Sequence, residues 1–380
     1  MKKLLVFISA VFLFTSSLFS FEWGGMVNNE SKILFNGEDS IGYVQSNGAN
    51  LWLSLPITKD NNWKLNSEIS YKFDFGIVPK PIYFNNVINL PLLKVSGSAN
   101  VGKNKIDLSF GRFKVSDYTS KILNATADGL FVDFNSQILE LGCYVGYTGL
   151  TNRLAEVGFL DNNGALISSD GDFYVFEESF IPAIFTVAFP SLFANQTVTV
   201  QALASFDCSN NKNNKYYGTL GIGGPIISSL FYDFKTTFNT CKFNDIANLT
   251  SISFTFFAKK GIGVVLSADY ASGSELCFDN FTTVTSFSVS DIFNIELSDV
   301  FVPSLSFLFT AKNFYAKLDV NGLFTIDDSI ETQALLAKIS SSMNVYSDFQ
   351  LGFDLNALIP INKSVATNII GIVLKGAISF

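Results

Sequence analysis

The stretch from Trp63 to Phe75 most constrains the fold, because apolar and polar residues alternate along it with a single exception. Its odd-numbered positions are apolar apart from Ser67, and its even-numbered positions are all polar or charged. A period of two residues puts these two sets on opposite faces of a β-strand. Strands in soluble proteins average five or six residues, whereas thirteen in strict register suit a tilted strand that crosses a membrane with some overhang.

The same alternation recurs along the chain, most clearly at 314–324 and 344–356. Although 48% of the residues are hydrophobic, no apolar run after residue 14 is long enough for a transmembrane helix, so the apolar residues are dispersed by alternation. After the first twenty residues, no segment of ten or more has a convincing helical period. The sequence therefore predicts an all-β fold, a single transmembrane antiparallel β-barrel of about 16–20 strands, with 20 as the best count.

The two kinds of break between strands predict the orientation of the barrel. Short turns and longer loops alternate nearly throughout, which is typical of short periplasmic turns and longer outer loops. The short turns are assigned to 59–62, 102–104, 223–225, 259–261, 312–313 and 341–343, and the longer loops to 36–48, 76–91, 116–127, 149–182, 207–215, 241–248, 273–280 and 358–366.

The last ten residues read as the strand that closes the barrel. Four apolar residues share one face of this strand with Gly376, and Lys375 points the other way. A strand that ends on its own carboxylate needs a partner along both edges, which closure provides. The row resembles the closing strand of bacterial outer-membrane barrels, and this resemblance implies that the barrel assembly machinery recognises it. The predicted assembly signal is Phe380, Ile378, Leu374 and Ile372.

The first twenty residues read as a secretory signal peptide. Lys2 and Lys3 form a basic start, residues 4–14 an apolar run, and residues 15–20 a small and polar exit. The predicted organisation is a signal peptide over 1–20 and an outer-membrane barrel over 21–380.

Composition excludes several classes of function. The net charge of −8 and the lack of a basic cluster argue against binding nucleic acid. The chain has no histidine, which excludes Ser-His-Asp hydrolysis and histidine-ligated zinc. The acidic segments 161–164 and 170–172 offer oxygen ligands for calcium, but solvated turns use the same residue types. We expect no enzyme activity, no cofactor and no metal.

Charged residues on the inward rows predict a lumen filled with water. These groups cannot be packed in a dry interior without a large desolvation cost. A barrel of 16 strands or more is also wide enough for an aqueous channel. The candidates for lumen-facing residues are Lys64, Glu68, Lys72, Asp74, Lys317, Asp319, Asp348 and Asp354.

The segment 149–182 is the candidate for a constriction, because it is the longest stretch without a clear strand pattern. Its charged residues sum to −5, with Arg153 as the single cation. A run of acidic residues is also typical of a solvated outer loop, so both interpretations stay open. The acidic candidates are Glu156, Asp161, Asp170, Asp172, Glu177 and Glu178.

Two further segments resemble outer-membrane barrels of spirochaetes, treponemes especially. They are Phe21-Glu-Trp-Gly-Gly25, and Gly111-Arg-Phe-Lys-Val-Ser-Asp117 followed by Ala127-Asp-Gly129. The resemblance covers the N-terminal third and the terminal Phe, and it implies an outer-membrane location and a barrel. With only Arg112 and Arg153, the chain cannot build the basic row that faces an acidic constriction loop in general trimeric porins.

The four cysteines have no spacing that resembles a metal site. Cys143 belongs to an apolar row and is predicted to face lipid. Three of them, Cys208, Cys241 and Cys277, fall in successive outer loops. One disulfide among these three is geometrically possible in an oxidising compartment.

These features favour a porin-like outer-membrane channel for passive diffusion of small hydrophilic solutes, with a preference for cations. The alternative is an adhesin or structural barrel without a transport role. A transporter for hydrophobic solutes is disfavoured, because too few residues precede the first strand to form a plug. The expected partners are outer-membrane lipid, the barrel assembly machinery and small solutes or cations, and a homo-oligomer is left open.

Overall fold

The computed structural model describes most of residues 21–380, and the predicted signal peptide lies outside the described residues. No helix in the described part of the chain is long and apolar enough to cross a membrane. The ranges left undescribed within 21–380 are 38–39, 78–81, 150–151, 161–165, 171–174, 177–178, 210–212, 242–245, 259–260, 274–278, 286–297, 328 and 362–367, and only the backbone is described for 40, 152–160, 166–170, 175–176, 327 and 329–331.

The described chain forms 21 β-strands, all antiparallel to their partners. They are β1 (Glu22–Asn36), β2 (Ser40–Pro56), β3 (Trp63–Ile77), β4 (Ile82–Val101), β5 (Asn104–Ser116), β6 (Asn124–Asn135), β7 (Glu140–Tyr147), β8 (Asn152–Leu160), β9 (Leu166–Asp170), β10 (Val175–Phe176), β11 (Phe180–Phe193), β12 (Gln196–Asp207), β13 (Lys215–Ile227), β14 (Leu230–Thr240), β15 (Ala247–Phe257), β16 (Ile262–Ala271), β17 (Val300–Thr310), β18 (Phe314–Asp327), β19 (Ser329–Asn344), β20 (Phe349–Pro360) and β21 (Ile369–Ser379).

Eighteen of these strands close into one barrel, which confirms the predicted fold class. This number lies inside the predicted range of 16–20 and is two fewer than the best count of 20. The first and last strands pair from Met26–Ser379 to Asn36–Ile369. Beyond them, Gly25 and Phe380 exchange two backbone hydrogen bonds of 3.0 Å each. The Trp23 and Phe380 rings meet edge to face with their centroids 6.5 Å apart. The terminal residue therefore lies at the seam of the barrel.

Strand alternation separates the two faces of the barrel wall. On β3, Ile69 is 51% exposed on the outward face, whereas Asp74 on the inward face is 8% exposed. Most other strands carry the same outward rows of leucine, isoleucine, valine and phenylalanine. Closed antiparallel barrels with such an apolar belt cross bacterial outer membranes, so the protein is an outer-membrane barrel.

Two turns predicted from sequence lie elsewhere. The Gly223–Pro225 stretch is inside β13, because all three residues pair with β14. The register of this pairing shifts between Pro225 and Ile227, and the strand ends at Ile227. The Ser341–Met343 stretch is inside β19, and the periplasmic turn falls at 345–348. Both stretches are rich in residues that favour turns, but pairing with the neighbouring strands keeps them extended.

The outer segment between β7 and β11 contains strands that its sequence pattern does not predict. Three short strands, β8 to β10, lie in it. The first pairs with the outer half of β4, from Ile82–Leu160 to Asn89–Arg153. Because β4 is 20 residues long and β5 only 13, the outer half of β4 extends past β5, and β8 covers that edge.

Candidate functional site

One short outer loop enters the barrel and narrows its lumen. Residues 117–123, here called the inner loop, connect β5 to β6. They contact side chains on β12, β14, β15 and β16, which lie further round the wall, beyond β7 and β11. Gln201, one contact point, lies six residues below the outer end of β12, which is about 20 Å along the strand. The inner loop therefore descends into the lumen instead of lying across its mouth.

A single buried carboxylate fixes the shape of the inner loop. Asp117 is 3% exposed, and its Oδ1 accepts hydrogen bonds from the backbone N–H groups of Ile122, at 3.0 Å, and Leu123, at 2.8 Å. Its Oδ2 accepts from the N–H and the hydroxyl of Thr119, at 2.7 and 2.5 Å. One side chain thus satisfies four donors that a loop inside a barrel would otherwise bury without partners.

The inner loop is bound to the far wall by polar contacts. The Tyr118 N–H donates to Gln201 Oε1 at 2.8 Å, and the Lys235 ammonium lies 4.7 Å from the centre of the Tyr118 ring. Lys121 Nζ donates to Ser251 Oγ at 3.1 Å and forms an ion pair with Asp269. These contacts hold the loop across the lumen.

A second outer segment, residues 279–285, packs on the inner loop and is called the strap. The N–H groups of Val284 and Thr285 donate to the Ile122 carbonyl at 2.9 and 3.0 Å. The hydroxyl of Tyr217 on β13 donates to the Thr282 carbonyl at 2.9 Å. Phe281 is 1% exposed, and its ring centre lies 6.2 Å from that of Tyr217. The strap therefore connects the inner loop to the wall.

These two segments enclose an apolar cluster inside the barrel. Its members come from the inner loop, the strap and inward positions on the strands that face them. They include Phe113, Val115, Ile122, Leu123, Ala127, Tyr144, Ile184, Leu203, Tyr217, Ala247, Leu249, Ala271, Phe281, Val300 and Val302.

The remaining part of the lumen is lined by ion pairs. Lys72 and Asp74 on β3 are 3.0 Å apart, and the Lys375 ammonium on β21 is 2.7 Å from an Asp354 oxygen on β20. In both pairs the lysine side chain is much more exposed than the carboxylate. The ammonium groups therefore face the open lumen, and the carboxylates lie back against the wall.

A recess of about 200 Å³ lies in the wall on this open side. Lys317 and Asp319 are 2.7 Å apart at its edge, and Ser306 also donates to Asp319. Asn356, 1% exposed, belongs to its lining. The recess is polar and is suited to water and hydrophilic solutes.

The predicted lumen-facing residues fall in two places. Alternation along β3 puts Lys64 and Glu68 on the same inward face as Lys72 and Asp74. Lys317, Asp319 and Asp354 are also on inward rows, as the ion pairs above show. The eighth candidate, Asp348, lies in the periplasmic turn at 345–348 and not on the wall, because β20 begins only at Phe349.

The acidic constriction candidates lie outside the residues whose side chains are described. Glu156 is on the backbone of β8 and Asp170 on that of β9. The other four, Asp161, Asp172, Glu177 and Glu178, lie outside the described residues. Within 149–182, β8 pairs with the wall strand β4, and β9 and β10 pair with β8, whereas the inner loop crosses the lumen.

Sequence reasoning missed the inner loop as a constriction and treated it only as one of the outer loops. Two signals were present. Ile122 and Leu123 are apolar residues in a polar loop. Leu203, Leu249 and Val302 are apolar residues at inward positions, where a wet lumen favours polar side chains. An apolar inward residue indicates a cover, and the inner loop and strap provide it.

Cysteines and metal-binding residue types give no further site within the described chain. Cys143, Cys208 and Cys241 are free and exposed, and Cys277 lies outside the described residues. No group of three or more histidine, cysteine, aspartate or glutamate residues among the described ones could hold a metal ion.

Comparison with known proteins identifies the fold but no sequence family. No family model and no curated protein matches the chain. The solved structure of OccK7 (OpdD) from Pseudomonas aeruginosa is similar over 95% of this chain and 99% of its own, with a TM-score of 0.61 and 10% identity. OpdQ from Pseudomonas aeruginosa covers the same shares and OccAB4 from Acinetobacter baumannii covers 95% and 98%, each with a TM-score of 0.60 and 10% identity. The chain has the barrel fold of these proteins.

Proposed function

We propose that this protein is a porin-like channel through which small hydrophilic solutes diffuse passively across the outer membrane. The observation that carries the proposal is the open side of the lumen, where Lys72–Asp74, Lys317–Asp319 and Lys375–Asp354 line the wall beside the inner loop. Charged groups need water or a partner, and a barrel of this strand number has room for an aqueous path. The Occ porins share the barrel architecture, which supports the same reading at the level of the fold.

The proposed preference for cations arises at the outer acidic segment. On the described wall each carboxylate of these pairs has a lysine beside it, so the wall adds little net charge. The segment 149–182 has a sequence charge of −5. Carboxylates near a narrow water-filled entrance raise the local concentration of cations, because low-dielectric walls focus the field.

Reversal potentials across planar bilayers test this selectivity. The wild-type channel is expected to prefer potassium over chloride. The variant Asp170→Asn/Asp172→Asn/Glu177→Gln/Glu178→Gln is expected to lose most of that preference, especially at 0.01 M salt, where the Debye length is about 30 Å. Asp60→Asn, in a periplasmic turn, serves as the control. Equal selectivity in wild type and the fourfold variant would contradict the proposal.

A structural or adhesive barrel without a transport role is the second candidate. The apolar cluster that fills part of the lumen favours it. Refolded protein that binds no solute and conducts no ions would support this candidate. Measurable conductance, with block by solutes of increasing size, would support the channel.

We also propose that the terminal row is read by the barrel assembly machinery. Phe380 lies at the seam, where its backbone pairs with Gly25. Phe380→Asp is expected to leave export intact and to reduce the folded barrel in the outer membrane severely. Phe257→Asp, at another exposed phenylalanine, is the control. Equal losses in both variants would mean that the end of the chain carries no special signal.

A further inference from the structure

A polar patch lies on the outward face of the barrel near the middle of β1 and β2. Asn29 and Ser31 on β1 lie opposite Asn47 and Gln45 on β2. They share the outward face with exposed apolar residues such as Val27. Asn29 lies six residues from both Trp23 and Phe35, which are exposed near the two ends of the same strand. The patch therefore lies at the depth of the lipid tails.

The patch satisfies only part of its own hydrogen-bonding capacity. Asn29 Nδ2 donates to Asn47 Oδ1 at 2.7 Å, and Ser31 Oγ donates to Gln45 Oε1 at 2.6 Å. The Tyr43 hydroxyl also donates to Gln45 Oε1. Among the described residues, no acceptor is found for Asn47 Nδ2 or Gln45 Nε2, and no donor for Asn29 Oδ1. Lipid tails offer neither donors nor acceptors, so exposing these polar groups to lipid is unfavourable.

Small residues also border the patch. Gly376 on β21 lies directly opposite Asn29, and Ala49 is the next outward residue after Asn47 on β2. Many outward positions on other strands carry larger groups, such as Phe185 and Leu220. Small residues let two protein surfaces approach closely within a membrane, where polar side chains then bond across the contact.

A second polar group on the outward face, by contrast, is held by hydrogen bonds among its own members. On β14 and β15, Thr236 and Thr250 hydroxyls are 2.9 Å apart, and Asn248 Nδ2 donates to Thr236 Oγ1 at 3.0 Å and to the Thr237 carbonyl at 3.2 Å. Asn248 is 6% exposed and is the second residue of β15, near the outer rim. The hydrogen bonds of this group are made within the group and to the backbone, in contrast to those of the patch on β1 and β2.

We propose that the polar patch on β1 and β2 is the contact surface between two copies of this chain. Copies inserted by one assembly route share orientation and depth, so their symmetry axis lies along the membrane normal. A polar group at mid-depth then meets groups at its own depth on the other copy. The patch carries both unused donors and an unused acceptor, so it is complementary to itself across a two-fold axis. The inference does not depend on the channel function.

Removing the patch tests the contact directly. The variant Asn29→Leu/Gln45→Leu/Asn47→Leu is expected to lower the dimer fraction at least about tenfold, as measured by light scattering of protein extracted in mild detergent. Thr236→Val/Thr250→Val is the matched control and is expected to remain dimeric. A wild-type protein that is monomeric both in detergent and after cross-linking in intact membranes would overturn the proposal, as would an unchanged dimer in the triple variant.

Cross-linking in the intact membrane keeps the test independent of detergent and of folding. In a background with the four native cysteines replaced by serine, Ala49→Cys is expected to form a disulfide-linked dimer on oxidation. Ala337→Cys, on the outward face of β19 on another part of the belt, is the control and is expected to stay monomeric. Equal cross-linking at the two positions would overturn the two-fold contact at the patch.

Discussion

The two sides of the lumen use the same strand alternation for opposite purposes. Next to the inner loop and strap, several inward positions are apolar, as at Leu203 and Leu249. On the side formed by β18–β21 and β1–β4, inward positions carry ion pairs such as Lys72–Asp74. The backbone is the same on both sides, so the difference comes from what faces each wall. Where a loop excludes water, apolar packing is stable, and where water remains, charged groups are solvated.

Removing the inner loop should give the largest effect on this contrast. Replacing residues 118–122 with two glycines removes the segment that crosses the lumen, so we expect single-channel conductance to rise several-fold. The matched control replaces residues 209–213, between β12 and β13, with two glycines. An unchanged conductance in the first variant would show that the open side alone determines the narrowest point.

The second prediction concerns the carboxylate that fixes the inner loop. Asp117→Ala leaves four donors without their acceptor, and the free energy of unfolding should fall by roughly 2–4 kcal/mol, read from the urea midpoint in detergent. Asp207→Ala is the control, because Asp207 accepts a similar set of bonds from Ser209 and Asn213 at an exposed loop. A larger loss at Asp207 would contradict the assigned role.

A smaller effect is expected from separating the inner loop from the far wall. Lys121→Met keeps the length of the side chain but removes its ion pair with Asp269, and we expect a loss of about 1–2 kcal/mol together with noisier open-channel current. Lys103→Met, in a periplasmic turn, is the control. Current as quiet as that of the wild type would mean that Tyr118 and the strap hold the loop without Lys121.

The smallest effect should come from the open side. Lys72 is exposed to the lumen, so Lys72→Met should change conductance by less than about twofold and leave stability nearly unchanged. The substitution also removes the positive charge beside Asp74, so the selectivity of the channel should move slightly toward cations. A strong loss of stability would show that this wall is packed rather than solvated.

Alternation made most of the barrel predictable. The outward row of β3 is visible in the sequence because lipid on one face and water on the other impose a period of two. Strand boundaries were less predictable. Gly223–Pro225 and Ser341–Met343 have turn composition but remain in strands, because their extended form is fixed by pairing with neighbouring strands. Local residue preferences carry no information about those partners.

The constriction was not predictable in the same way. Segment 149–182 is long and has a sequence charge of −5, whereas the inner loop is only seven residues long. What directs the inner loop inward is a set of contacts with residues far away in the sequence, such as Gln201 and Asp269. In the sequence, the only sign of these contacts is the apolar residues at inward positions on the facing strands.

The contact between Lys121 and Asp269 also bears on the order in which the barrel is built. The two residues are 148 positions apart, and Asn124 bonds to Thr285 across 161 positions. Contacts between residues so far apart in the sequence have a high entropic cost of loop closure, and they form slowly. The interior of the protein therefore cannot be completed until β16 and the strap are in place. An assembly intermediate that lacks the last third of the chain would expose Ile122 and Leu123, and a chaperone that binds apolar surface would recognise it.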